Sequence, residues 1–197
     1  MTGLQAAILA ACEAELLTGR RWGQPPAIYF LNVQRHGPAL RRAKLPAGFW
    51  HTHERPAGAL AALADRAGIW APVLQAAAPP ALYGIGFAAE AWEILTMPDD
   101  SDAKRRQDHI DAQEHRLYAR PDRAEIATLV AVDRAGLTYS CSRRRDTGTL
   151  EREMLRRDPE HSALGVVPDA LDQLVQSMLG VMLPPRPEEP EFFRAAP

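Results

Sequence analysis

Residues 124–142 read "AEIATLVAVDRAGLTYSCS", and this stretch decides the fold because it encodes two strands joined by a tight turn. The first arm is apolar on both faces, whereas the second alternates apolar residues with small hydroxyl residues. Gly136, between the arms, supplies the positive φ that such a turn requires. We therefore expect a hairpin whose first strand is central in a sheet. Its second strand, 137–142, is expected at an edge with one face in water.

Two further apolar runs predict strands beside this hairpin. One is "IYFLNV" at 28–33, a short run of aromatic and branched residues that follows two prolines. The other is "ALYGIGFAAEAWEILTM" at 81–97. The alternation of side chains along a strand places three of its residues on one face: Tyr83, Ile85 and Phe87. Two glycines inside this run predict a bulge or a close approach of a neighbouring backbone.

Helical periodicity predicts four helices around the sheet, at 3–17, 56–67, 102–118 and 168–183. Gly68 is expected to end the second helix, and the third is so polar that it should lie on the surface. The charged run "TLEREMLRR" at 149–157 indicates a short additional helix. Residues 34–47 and 158–167 are predicted as loops.

These elements predict the fold class α+β, with a single globular domain at 1–183. An antiparallel sheet of about four strands should be covered by helices, with the polar helix outside. The remaining stretch, 184–197, is rich in proline and acidic residues and is expected to form a peripheral tail.

Composition excludes several classes of function. The net charge is −2 and the sequence pI is near 6.3, so no overall basic field draws the chain to nucleic acid or anionic lipid. Two cysteines lie far apart, which argues against a disulfide scaffold or a zinc finger. A basic leader and a long uninterrupted apolar run are both missing, so we expect a cytoplasmic protein without membrane contact.

One short motif suggests a metal enzyme. The stretch "GFWHTHE" at 48–54 resembles the His-x-His segment of metallo-isopeptidases of the JAB/MPN class. That resemblance implies a zinc-dependent hydrolase in which His51 and His53 bind the metal together with a downstream carboxylate, here Asp65. The serine of that family falls on Ala61, and its aspartate falls on Ala64, one residue before Asp65.

The same residues also have a structural interpretation. Trp50 would pack beneath the helix that follows it, while His51 and His53 would be solvated near the helix start. On this interpretation the protein needs no cofactor. Zinc is implied only by the hydrolase hypothesis.

Three basic clusters lead to a second alternative, nucleic-acid binding. They lie at 104–106, 143–145 and 156–157, and each has acidic neighbours. If they converge in space near Tyr139, they would offer phosphates positive charge and offer bases an aromatic surface. The mixed charges favour a solvated surface instead.

The leading hypothesis is a non-enzymatic protein-binding or accessory factor, with a protein partner or a second copy as its ligand. It rests on the expected edge strand 137–142, which carries Tyr139, and on Phe192 and Phe193 in the tail. Three stretches, at 79–95, 120–146 and 166–180, resemble uncharacterised proteins of high-GC Gram-positive bacteria and their phages. That resemblance implies a bacterial or phage origin but no activity.

Overall fold

The computed structural model describes residues 2–46, 48–79, 82–94, 101–113, 116–155 and 166–180. Its sheet comprises β1 (Ala27–Gln34), β2 (Gly37–Arg42), β3 (Leu82–Ile94), β4 (Arg123–Asp133), β5 (Thr138–Arg144) and β6 (Leu150–Leu155). Its α-helices are α1 (Gly3–Ala14), α2 (Pro56–Asp65), α3 (Ala67–Ala77), α4 (Asp102–Gln113) and α5 (Val166–Leu179). The α+β class with one antiparallel sheet is confirmed. The expected number of about four strands is wrong, because the sheet has six.

The strand order β2-β1-β3-β4-β5-β6 makes β3 and β4 central and leaves β2 and β6 at the edges. The hairpin expected at 124–142 is confirmed as β4 and β5. Its second arm is not an edge, however, because β6 pairs with β5 from Thr138↔Leu155 to Arg143↔Leu150. The prediction that 137–142 is an edge strand is therefore wrong.

The two strands that were not predicted from the sequence, β2 and β6, are edge strands with many polar residues. β2, "GPALRR", lies where a loop is expected from the sequence, and β6, "LEREML", replaces the helix expected at 149–157. An edge strand is ordered by the backbone hydrogen bonds of one neighbour and by local packing. It can therefore lack the apolar alternation by which strands are recognised in a sequence.

Helices cover both faces of the sheet and create two separate apolar clusters. On one face, α2, α3 and α5 pack on a set of strand residues that includes Ile28, Phe30, Ile85, Phe87 and Val132. On the other face, α1 buries Ile8 and Cys12, and the π-helical turn that follows it (Glu15–Gly19) buries Leu16, against strand residues that include Tyr29, Leu31, Leu129, Tyr139 and Cys141. The central strands thus have apolar residues on both sides, which explains why their sequences read as nearly continuous apolar runs.

A second helix begins where the sequence predicts a stop. α2 ends at Asp65, and Arg66, with φ −105° and ψ 27°, departs from helical geometry. The chain then continues as α3, so Gly68 lies in the first turn of a helix and does not end one. The expectation for Gly68 is wrong because the break comes from the backbone of Arg66.

A bulge in the sheet changes which face one aromatic residue occupies. The register of β1 and β3 shifts between Leu31 and Asn32, opposite the stretch from Leu82 to Gly84. As a result, Tyr83 packs in the α1 cluster, while Ile85 stays on the opposite face. The expected placement of Tyr83 beside Ile85 is wrong, because the shift interrupts the alternation of side chains. The predicted bulge and close backbone approach are both present.

The close approach occurs at Gly84, and it generates a test. A Cβ at this position would clash with the carbonyl oxygen of Val132 in the backbone of β4. We expect Gly84→Ala to lower the free energy of unfolding by about 1–3 kcal/mol. Gly58→Ala in α2 is the matched control, since its Cβ would have only an ordinary contact, at 4.0 Å from His53. Alanine should stabilise that helix position by about 0.5–1 kcal/mol. Urea denaturation of both variants measures the difference, and equal stabilities would contradict it.

A network of ion pairs and hydrogen bonds holds the polar helix α4 in place. Asp111, which is nearly buried, accepts hydrogen bonds from Gln107, Arg116 and Arg120. Arg120 also forms an ion pair with Asp108 at 2.9 Å between Nη1 and Oδ1. Because two arginines beyond the helix bind carboxylates on it, the network connects α4 to the turn that leads into β4.

We expect Asp111→Asn to weaken the acid dependence of stability. Hydrogen bonds from Arg120, Arg116 and Gln107 lower the pKa of Asp111 to about 2. The carboxylate therefore stabilises the fold fully above about pH 4, and this contribution is lost as the pH falls through about 2. Between these values the melting temperature should fall less steeply in the variant than in the wild type. Asp65→Asn, at an exposed position, should keep the wild-type slope; equal slopes in all three proteins would contradict the assignment.

Candidate functional site

The two histidines of the "HTH" motif lie on the surface. The segment Phe49–Thr52 forms a 3-10 turn, in which the Trp50 ring packs 5.7 Å from that of Phe87 and both His51 and His53 are exposed. The Thr52 hydroxyl donates to the Phe49 carbonyl at 2.7 Å and lies 3.0 Å from Nδ1 of His53. The turn is thus held by the packing of Trp50 and by local hydrogen bonds.

The third residue of the expected zinc set lies elsewhere. Asp65 is the exposed last residue of α2. At roughly 1.5 Å per residue it lies about 13 Å along the helix axis from Pro56, whereas His51 and His53 precede that helix. Within the described residues, no group of three His, Cys, Asp or Glu side chains is arranged to hold a metal ion. The structure therefore does not bring the three expected ligands together.

Tyr139, expected at a partner surface, is a core residue. Its side chain is fully buried, and its hydroxyl donates to Oδ2 of Asp133 at 2.8 Å. Oδ1 of Asp133 accepts from the backbone N–H groups of Ala135 and Leu137 in the hairpin turn. Burial and the neighbouring Asp133 carboxylate raise the pKa of Tyr139, so it remains a hydrogen-bond donor. The expectation that Tyr139 contacts a partner is wrong, because β6 makes β5 an inner strand and α1 covers this face.

Two of the three basic clusters lie in the described part of the chain, one beside Trp22 and one on α4. The guanidinium groups of Arg143 and Arg145 lie 5.5 and 5.2 Å from the centre of the Trp22 ring. Arg144, between them, points to the opposite face of the sheet and binds Asp146 at 2.7 Å. The cluster at 104–106 lies on α4, where Lys104 pairs with Asp108 at 3.3 Å. Residues 156–157, and Phe192 and Phe193 of the tail, lie outside the described residues.

The candidate site that the structure does present is the outward side of α3. We define the α3 face as Gly68, Ile69, Pro72, Val73 and Ala76, all of which are exposed. Ile69 is 70% exposed and Val73 is 57% exposed, and they lie one helical turn apart. Residues 67–79 contain no charged side chain. An exposed helix face that is wholly apolar is unusual on a solvated surface and is typical of a docking site.

The inward side of α3 fixes this face in place. Ala67, Ala71 and Leu74 are buried in the larger apolar cluster. Trp70 packs against Phe49 with the ring centres 6.1 Å apart. The side chain of Gln75 donates to the backbone carbonyl of Met178 in α5. Because both sides of the helix are apolar and one side is anchored, the other side is presented rigidly to solvent.

Sequence reasoning missed this site because it ended the preceding helix at Gly68. A signal was nevertheless present in "AGIWAPVLQAAAP" at 67–79, an uncharged run that is too short to span a membrane and too apolar for a loop. Pro72 weakens the helical signal, because proline removes a backbone donor from the helix interior.

The edges of the sheet are less suited to binding another strand. The edge strand β2 carries Pro38 and Arg41, and the edge strand β6 carries a run of charges from Glu151 to Glu153. Proline and charged side chains on an edge strand hinder its pairing with a further strand. The α3 face, by contrast, carries no charged side chain that would hinder docking.

Comparison with known proteins found no matching family model, no matching curated protein and no matching solved structure. Among the helices in the described part of the chain, none has the length and apolar character needed to cross a lipid bilayer.

The burial of Tyr139 predicts a loss of stability when its hydroxyl is removed. Tyr139→Phe leaves one acceptor of the Asp133 carboxylate unpaired in the core, which should cost about 1–3 kcal/mol. Tyr118→Phe is the matched control, because Tyr118 is 61% exposed and its loss of a hydroxyl should change little. Chemical denaturation of the two variants provides the comparison. A stable Tyr139→Phe variant would show that this hydrogen bond does not support the hairpin.

Proposed function

We propose that this protein is a protein-binding factor that acts as a homodimer, in which the α3 face docks on the α3 face of a second copy. The observation that carries the proposal is the pair Ile69 and Val73, exposed one turn apart on a helix without charges. Burial of such side chains releases ordered water and is a main source of affinity between proteins.

The lack of charged side chains on the α3 face is compatible with docking on a second copy. A two-fold symmetric interface places a surface against itself, so a charge close to the symmetry axis meets its own copy. The α3 face contains no ionisable side chain, and self-association therefore brings no charge repulsion at its centre. A partner selected by charge would need complementary groups that this face does not offer.

The shape of the face also suits a second copy. The larger side chains Ile69 and Val73 form a ridge with a spacing of four residues. Beside it runs a row of smaller residues with the same spacing: Gly68, Pro72 and Ala76. Two helices pack well when the i±4 ridge of one fits the i±4 groove of the other, at a crossing angle of about −50°. The same helix thus supplies both the ridge and the groove.

We expect the double variant Ile69→Gln, Val73→Gln to be monomeric at concentrations where the wild type is dimeric. Both positions are exposed, so the variant should fold and keep its melting temperature in dilute solution. Sedimentation equilibrium of the wild type should approach twice the chain mass of 21.7 kDa as the concentration rises from about 1 to 100 µM, a range in which contacts of modest affinity form.

Ile110→Gln is the matched control, because Ile110 is an exposed isoleucine on another helix, α4. It should dimerise as the wild type does. A wild type that remains monomeric throughout would contradict docking on a second copy and direct attention to a different protein as the occupant. Dimers that persist in the double variant would place the interface elsewhere on the molecule.

A further inference from the structure

A cleft of about 650 Å³ opens where β2 ends and the 3-10 turn begins. It lies apart from the α3 face, and none of the residues that define that face line it. One wall consists of Pro25 and Pro26 ahead of β1, and the other consists of Leu45 and Trp50. This volume lies in the range typical of small-molecule sites.

The charges at the cleft have a single sign. Three basic side chains line it: Arg42, Lys44 and His51. No aspartate or glutamate is among the described lining residues. Arg42 and Lys44 flank Ala43, whose N–H donates to the Ile28 carbonyl at 2.7 Å and extends the pairing of β2 with β1. Lys44 follows Arg42 by two residues, and both line the cleft.

These two cations differ from several arginines elsewhere in the described part of the chain. Arg120, Arg144 and Arg145 each bind a carboxylate at 2.9 Å or less. In the part of the chain that the structure describes, Arg42 and Lys44 form no such ion pair. Both are exposed and line the cleft, so their positive field acts on the cleft and on the adjacent solvent.

Both walls of the cleft are held by the core. The guanidinium of Arg20, only 2% exposed, donates to the carbonyl oxygens of Gln24 and Pro25 at 3.2 and 3.3 Å and fixes the first wall. Trp50 in the second wall contacts Phe49 edge to face at 4.9 Å. A site with fixed walls needs little ordering when a ligand enters, which favours binding.

From this geometry we infer that the cleft binds a small organic anion. The anionic group, a phosphate or carboxylate, meets Arg42, Lys44 and His51, while the apolar body of the ligand packs against Trp50 and Leu45. Guanidinium and ammonium groups are the usual partners of such anions, and a half-buried tryptophan offers a flat apolar surface.

Three probes separate the two parts of this inference. 1-Naphthyl phosphate carries both an aromatic body and an anion, 1-naphthol has the ring without the charge, and inorganic phosphate has the charge without the ring. Isothermal titration calorimetry with the full chain should show one site for 1-naphthyl phosphate and much weaker binding of the other two. Equal affinity for 1-naphthol would overturn the role of the cations. Equal affinity for inorganic phosphate would overturn the role of the apolar wall.

The decisive variant is Arg42→Gln combined with Lys44→Gln. Both residues are exposed, so the fold should be retained and the melting temperature should confirm it. Loss of two charge-assisted contacts should weaken binding of 1-naphthyl phosphate by about tenfold or more. Arg35→Gln, at the opposite end of the β1–β2 hairpin, removes one positive charge away from the cleft; it is the control for the loss of an exposed cation and should bind as the wild type does. Absence of saturable binding by the wild type, unchanged affinity in the double variant, or an equal loss in Arg35→Gln would overturn the inference.

Discussion

The pairing of β3 with β4 is the interaction on which the rest of the molecule depends. Eleven residue pairs, from Gly84↔Asp133 to Ile94↔Arg123, form this ladder, the longest in the sheet. β1 then pairs with the free side of β3, and β5 pairs with the free side of β4. Both helical layers pack on residues of these two strands. Gly84 permits the close approach of the two backbones at the first pair of this ladder.

Much of the fold follows from the sequence because its strongest patterns belong to this centre. The apolar run of β4, the Gly136 turn and the alternation in β5 together predict a hairpin, and the hairpin is present. The edge strands were not predicted, because they are held by backbone hydrogen bonds to one neighbouring strand and their own sequences lack apolar alternation. The break between α2 and α3 was not predicted either, because it is produced by the non-helical dihedral angles of the single residue Arg66.

The functional residues were harder to predict, and particular residues show why. Tyr139 has the alternation typical of a half-exposed strand, but the charged strand β6 and helix α1 enclose it. The "HTH" motif lies in a turn held by the packing of Trp50 and by the hydrogen bond of Thr52 to the Phe49 carbonyl. Ile69 and Val73 read as ordinary core residues, since a sequence does not reveal which side of an apolar helix lacks a cover. Only the positions of α2, α5 and the sheet show that it is the outward side.

An aromatic cluster connects the α3 face with the cleft. It consists of Phe49, Trp50, Trp70 and Phe87. Trp70 belongs to α3, whereas Trp50 lines the cleft, and both contact Phe49. The packing that holds the docking helix against the sheet therefore also holds one wall of the binding cleft. The same core therefore positions both surfaces: the outward side of α3 and the cleft at the end of β2.

Hydrogen exchange of the wild-type protein, followed by mass spectrometry over a dilution series, tests whether the α3 face self-associates. If the α3 face docks on a second copy, peptides that cover 67–79 should exchange more slowly as the protein concentration rises, and peptides that cover β6 should not change. Slower exchange confined to β6 would show that the copies pair through the sheet edge. Exchange that is independent of concentration in every peptide would contradict self-association altogether.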